Sequence, residues 1–139
     1  MPLISHAEHK LVHTCQAPMR WGDMDSLSHM NNTVYFRLME QCRIEWFGSF
    51  GQTLRGDEAV YPVLVSANCN FIRAITYPAV VTTTMYLGSA SSRSLETYHD
   101  LLVEGVVYAQ GLCRLVWVAS ATQKAVSVPE VVIQMIQRA

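Results

Sequence analysis

Between Trp21 and Asn32 the chain reads Trp-Gly-Asp-Met-Asp-Ser-Leu-Ser-His-Met-Asn-Asn, which gathers two carboxylates, a histidine and two amides in one short polar segment. These types suit attack on a carbonyl. A carboxylate can attack the carbon directly or take a proton from water. The residues that follow Asn32 have helical spacing, so the segment precedes a helix N-terminus. The first N–H groups of a helix have no internal acceptor and lie at the positive end of its dipole. Donors so placed can stabilise the oxyanion that forms when a carbonyl is attacked. The same residues would also build an acidic loop with an Asn cap and no chemistry.

Other chemistries find less support. His6, His9 and His13 are spaced for no metal set if they lie on an extended N-terminal arm, where they would not converge, and neither metal nor cofactor is expected. Gly-x-Ser-x-Gly is absent, and so are glycine-rich phosphate loops, which excludes the serine-hydrolase elbow and dinucleotide chemistry. Cys15, Cys42, Cys69 and Cys113 form no Cys-x-x-Cys pair and read as reduced, partly buried thiols. Glu40 and Arg43, three apart on the helix, read as an ion pair.

The elements that must position the polar segment follow from periodicity. Leu11 to Trp21 alternates loosely and reads as a strand. From Thr33, Tyr35, Leu38, Met39, Cys42 and Trp46 recur at helical spacing opposite Arg37, Gln41 and Glu45. Asn31 or Asn32 caps this helix, and Gly48 and Gly51 stop it. Tyr61 to Ile72, Val80 to Leu87, Leu95 to Val103 and Val106 to Ala119 then read as four strands, and Pro129 to Arg138 as a short helix. The small residues Ala109, Gly111 and Cys113 on one face of the last strand would let the long helix approach closely. Strand, helix and four consecutive strands make an α+β fold with an antiparallel sheet in one domain, 1–139.

Composition narrows the function further. The 139 residues carry 10 Lys+Arg and 11 Asp+Glu, a net charge of −1, which disfavours a nucleic-acid binder. Half of the residues are hydrophobic and 15% are charged, against about 25% in an average domain. This excludes disorder and points to surface buried against another subunit or a ligand. No apolar run approaches the roughly 20 residues of a membrane helix, and no signal core is evident, so a cytoplasmic protein is expected.

The run Trp-Gly-Asp-Met-Asp-Ser-Leu-Ser-His-Met-Asn-Asn-x-x-Tyr-Phe, with Met-Glu-x-x-Arg-x-Glu-Trp-Phe on the helix, resembles the 4-hydroxybenzoyl-CoA thioesterase family of hot-dog-fold proteins. Asn70-Phe-Ile-Arg73, Tyr77-Pro78, Ser91-Ser92 and Ala109-Gln-Gly111 follow in the family's order. The resemblance implies a helix wrapped by an antiparallel sheet, a homodimer or homotetramer, and hydrolysis of acyl thioesters of coenzyme A or acyl carrier protein. By position, Asp25 matches the catalytic carboxylate and Asn32 the residue whose backbone N–H polarises the thioester carbonyl. His29 and Asn31 match the His-x-Asn-Asn variant shared with plant acyl-carrier-protein thioesterases. Leu27 stands where those enzymes carry a catalytic asparagine, which leaves Asp25 as the principal group. Ser92 matches a position that often contacts pantetheine. Tyr35 and Arg73 are further candidates for substrate contact, Arg73 together with Arg93 and Arg114 for nucleotide phosphates. Met39, Phe36 and Trp46 are expected to line the acyl chain. A non-catalytic acyl-thioester binding module and a hydratase or dehydratase using Asp25 and His29 are the alternatives on this fold.

Overall fold

Alternation and helical spacing lead to the elements of the computed structural model, which describes residues 3–49 and 59–137. In chain order these are β1 (Lys10–Pro18), α1 (Asn32–Ser49), β2 (Val60–Phe71), β3 (Val80–Ala90), β4 (Ser94–Val103), β5 (Val106–Ala119) and α2 (Glu130–Gln137). β5 has the bounds its alternation predicts. β1 stops at Pro18, three residues early, because Trp21 to Asp23 tighten into a 3-10 turn. Gly48 lies inside α1, and the proposed stop at Gly51 lies outside the described residues.

The strands form one antiparallel sheet in the order β1-β3-β4-β5-β2. β3, β4 and β5 run as consecutive hairpins at its centre. The tight β4–β5 turn uses positive φ at Glu104 (50°) and Gly105 (78°), as a two-residue hairpin of matching twist requires. Alternation then decides the faces. Val81, Thr83, Met85 and Leu87 of β3, Leu95, Thr97, His99 and Leu101 of β4, and Ala109, Cys113, Leu115 and Trp117 of β5 are buried. They meet Tyr35, Met39, Cys42, Trp46 and Phe47 of α1. Along the helix the core falls into two clusters. One surrounds Tyr35 and Met39 near its start, and the other surrounds Trp46, Phe47 and Trp117 near its end, where Val132 of α2 closes it.

Three side-chain placements differ from the sequence reading. Arg43 donates to Cys113 Sγ at 3.5 Å, and no ion pair joins it to Glu40. The N-terminal arm folds back onto the outer face of the sheet, where His6 and His9 do converge. His6 stacks on Tyr86 (centroids 3.8 Å apart) and His9 on Tyr98 (4.0 Å), with 3.0 Å between their Nδ1 atoms. His6 Nε2 reaches Asp100 Oδ1 at 2.8 Å, and Gln110 ties Asp100 and the Ile4 backbone together. Among the described residues no group of three metal-ligating side chains forms. His13 instead pairs with Glu45 of α1 at 3.0 Å.

Among the described residues β2 is bonded to the sheet only through β5, which leaves its outer backbone edge without a strand partner among them. Val63, Leu64, Val65 and Phe71 along it are between 38% and 53% exposed. An apolar edge of this kind is a template for pairing with another chain. Among the described residues no helix is long and apolar enough to cross a membrane.

Candidate active site

The polar segment between β1 and α1 is fixed almost entirely by its own backbone. Asp23 caps the 3-10 turn: its carboxylate accepts from the Arg20 amide (2.9 Å) and pairs with the Arg20 guanidinium (3.3 Å). Its carbonyl accepts from Asn31 N–H at 2.8 Å. Both carboxylate oxygens of Asp23 thus brace the turn. Asp25 closes a small loop on His29, its amide donating to the His29 carbonyl (2.8 Å) while its own carbonyl accepts from Ser28 (3.0 Å). Ser28 sits at a φ of 63° to turn the chain. Met30 N–H donates to the Ile75 carbonyl (2.8 Å), and His29 bridges Thr76, which fastens the loop to the segment between β2 and β3.

The Asp25 carboxylate is used asymmetrically. Oδ1 accepts from Leu27 N–H at 2.9 Å and from His29 N–H at 3.4 Å. Oδ2 has no partner among the described residues. One oxygen thus orients the group, and the other is free to attack or to accept a proton. Leu27, whose side chain breaks the catalytic pattern of the plant-like enzymes, contributes here through its amide.

Asn31 is the cap of α1. Its side-chain oxygen accepts from both the backbone and the hydroxyl of Thr33 at 2.9 Å, and its carbonyl accepts from Val34. The side-chain oxygen of Asn31 is thus engaged in capping the helix. Asn32 is then the first helical residue, and its N–H is one of the donors a helix leaves unpaired. Asp25, Asn32, His29, Tyr35 and Arg73 line one open cleft of about 270 Å³ with Phe71, Ile72 and Ala74. Tyr35 is buried, and its ring meets Phe71 edge-on at 4.8 Å. Burial pushes its phenol up, and the negative charge of Asp25 adds to that rise. Arg73 lies over the Tyr108 ring at 5.9 Å with its side chain exposed at the cleft rim.

The remaining expectations separate. Ser92 is in the β3–β4 turn, where its carbonyl accepts from Val128 N–H. Register puts that turn beside the Val116 end of β5, whereas the cleft adjoins the Ala109 end, so Ser92 lies at the opposite end of the same chain. Met39 is fully buried between helix and sheet, whereas Trp46, buried nearly as deeply, borders a groove of about 210 Å³ with Glu40, Arg43, Phe47 and Leu64. Phe36 does border a narrower groove of about 170 Å³ running down α1 past Glu40 to Leu64 and Ala67 of β2. Phe71, Ile72 and Ala74, to which the sequence reading gave no place in the site, close the cleft where β2 ends, one residue before its expected limit at Ile72. A larger open depression of about 640 Å³, between Gln16, Tyr77, Pro78 and Glu104, contains none of the candidate groups and no cation.

This arrangement matches known proteins along most of its length. The PA2801 protein of Pseudomonas aeruginosa, a candidate thioesterase, superposes with a TM-score of 0.84 at 36% identity, over 91% of this chain and 99% of that one. A candidate acyl-CoA thioesterase from Xanthomonas campestris gives 0.70 at 27% identity, over 83% and 100%. The DHNA-CoA thioesterase of Staphylococcus aureus shares the fold at 17% identity, with a TM-score of 0.72 over 82% and 78%. No curated protein matches the chain. The family model of the Thioesterase-like superfamily matches residues 19–136, from the start of the Asp25 loop to α2. With its hot-dog fold and that match, the chain belongs to the Thioesterase-like superfamily, a family of thioester hydrolases.

Proposed function

We propose that the protein hydrolyses an acyl thioester of coenzyme A, with Asp25 as the reacting carboxylate and the α1 N-terminus as the oxyanion donor. The observation that carries this reading is the free Oδ2 of Asp25, which borders the same cleft as the unpaired Asn32 N–H. The thioester carbonyl accepts from Asn32 N–H, and the helix dipole favours the charge that develops on its oxygen. Oδ2 attacks the carbonyl carbon or removes a proton from the attacking water. The thiolate leaves with little acid assistance, since a thiol has a pKa of about 8.5. Arg73 at the cleft rim suits a phosphate of the carrier. The candidate acyl-CoA thioesterase from Xanthomonas campestris supports coenzyme A as carrier, and acyl carrier protein is the competing one.

The working unit of this reading is a homodimer, formed along the free β2 edge, with a homotetramer as its further assembly. The exposed apolar residues of β2 and the charge-poor composition support it. Ser92 can contact the substrate of a given cleft only from a second copy, given its place in its own chain.

Asp25→Asn tests the reading. The amide oxygen can still accept from Leu27 and His29, so the loop keeps its bonds while charge and nucleophile are lost. Acyl-CoA hydrolysis followed by thiol release should drop by ~10²–10⁴-fold, with binding nearly unchanged. Full activity in the folded variant removes Asp25 from the mechanism. Tight acyl-CoA binding without turnover in the wild type favours a binding module. Turnover of enoyl-CoA in place of acyl-CoA favours a hydratase.

A further inference from the structure

We propose that Cys15 and Cys42 are a peroxide-sensitive thiol pair that closes to a disulfide between β1 and α1. The two elements already meet side chain to side chain, His13 Nε2 of β1 lying 3.0 Å from Glu45 Oε1 of α1. Two residues further along a strand and three residues back along a helix, side chains return to the same faces. The contact that follows His13–Glu45 is therefore Cys15–Cys42. Thr83 fixes the approach independently. It pairs with Cys15 in the β1–β3 register, and its carbonyl accepts from the Cys42 thiol at 3.7 Å. Cys15 accordingly packs against the core cluster that contains Cys42.

The other two thiols lack this geometry. Cys69 lies opposite Gly111 and Cys113 opposite Ala67, so they stand two residues out of register across β2 and β5. Diagonal neighbours of that kind are about 7–8 Å apart, at or past the reach of a disulfide. Burial also pushes the Cys69 thiol up to about 12.

Within the pair the roles are unequal. Cys42 is completely buried, and its thiol is held protonated. Cys15 is partly exposed, and the adjoining Cys42 thiol lowers its pKa against the opposing effects of burial and Glu45. A thiol favoured as thiolate, open to solvent and backed by a second thiol is the arrangement of a redox-responsive cysteine. Cys15 thiolate attacks one peroxide oxygen, an S–O bond forms, the O–O bond breaks, and hydroxide leaves. Cys42 sulfur then attacks the Cys15 sulfenic acid. The S–S bond forms, the S–O bond breaks, and the departing hydroxide takes the Cys42 proton as water. Two thiols and one hydrogen peroxide thus give one disulfide and two waters.

Peptide mapping without reductant after exposure of the purified protein to hydrogen peroxide tests this. The wild type should yield one peptide joining Cys15 to Cys42, two hydrogens lighter than its parts and separated by dithiothreitol. Cys42→Ser should give no joined peptide and a Cys15 sulfenic acid that a dimedone reagent traps. Cys15→Ser should leave Cys42 unmodified under the same exposure. Wild-type protein in which Cys15 passes to sulfinic acid with no joined peptide overturns the proposal. Linkage of a different pair does so too, as does equal oxidation of Cys42 with and without Cys15.

Discussion

Gly111 of β5 and Met39 of α1 occupy adjoining halves of one space. A side-chain carbon built on Gly111 collides with the Met39 sulfur and stands 3.0 Å from its Cε. The small face of β5 thus admits the helix, and the Met39 thioether fills the gap that glycine leaves. Both residues are buried.

Gly111→Ala should therefore destabilise the fold by roughly 1–3 kcal/mol through overpacking. Combining it with Met39→Ala should cost less than the two single losses added together, because the new methyl enters the vacated volume. Urea unfolding of the four proteins measures this, and simple additivity would refute the shared space.

His29→Ala should lower turnover by about tenfold or less, the low end of acid–base effects. His29 serves the loop through its backbone, which the substitution keeps: its carbonyl accepts from Asp25 N–H and its amide donates to Asp25 Oδ1. Rates of acyl-CoA hydrolysis beside those of Asp25→Asn decide the matter. Equal losses would make the imidazole the base.

Stability should fall on acidification. His99 is fully buried, with Nδ1 3.0 Å from the Thr84 carbonyl and Nε2 3.3 Å from the Thr97 hydroxyl. Burial first, and then the charge of Arg43, push its pKa from 6.5 down to about 3. Below pH 6.5 the unfolded chain takes a proton that the native state refuses, so stability is lost between about 6.5 and about 3. The loss from His99 reaches at most about 1.4 kcal/mol per pH unit. His9, lowered by burial and by its neighbour His6, adds a loss of the same sign. Urea unfolding between pH 7.5 and 5 should show the decline, and the His99 ring should not titrate by NMR above pH 5. A ring titrating near 6.5 would contradict the buried neutral state.

Light scattering at micromolar concentration should give at least twice the 15.6 kDa chain mass. Val65→Asp, placed on the exposed β2 edge, should reduce the mass to that of one chain and take thioesterase activity with it. An active variant of unchanged mass would move the interface away from β2.

The polar loop and the element order were legible in the sequence because each rests on local chemistry. Asn31 caps α1 through its own side chain, and the five strands alternate by residue type. What escaped depends on contacts made across the chain. His6 and His9 converge only because Tyr86 and Tyr98 stand side by side on β3 and β4. Ser92 follows the candidate motifs closely in order, yet register carries it to the far end of the sheet. Met39 has the character of an acyl-chain lining, but core and lining are both apolar, and only packing separates them. Arg43 turns to Cys113 in place of Glu40, a choice that helical spacing alone does not record.

The lacing of the Asp25 loop sets how selection among substrates must work. The loop is bonded to the chain before it through Asp23, to itself through Asp25 and His29, and to the β2–β3 segment through Met30 and Ile75. It is a shelf rather than a door. On the proposed reading, discrimination falls to the walls of the cleft and to whatever lies against β2, so the diversity of substrates open to such a scaffold is written in its edges, while the Asp25 carboxylate stays where the backbone has set it.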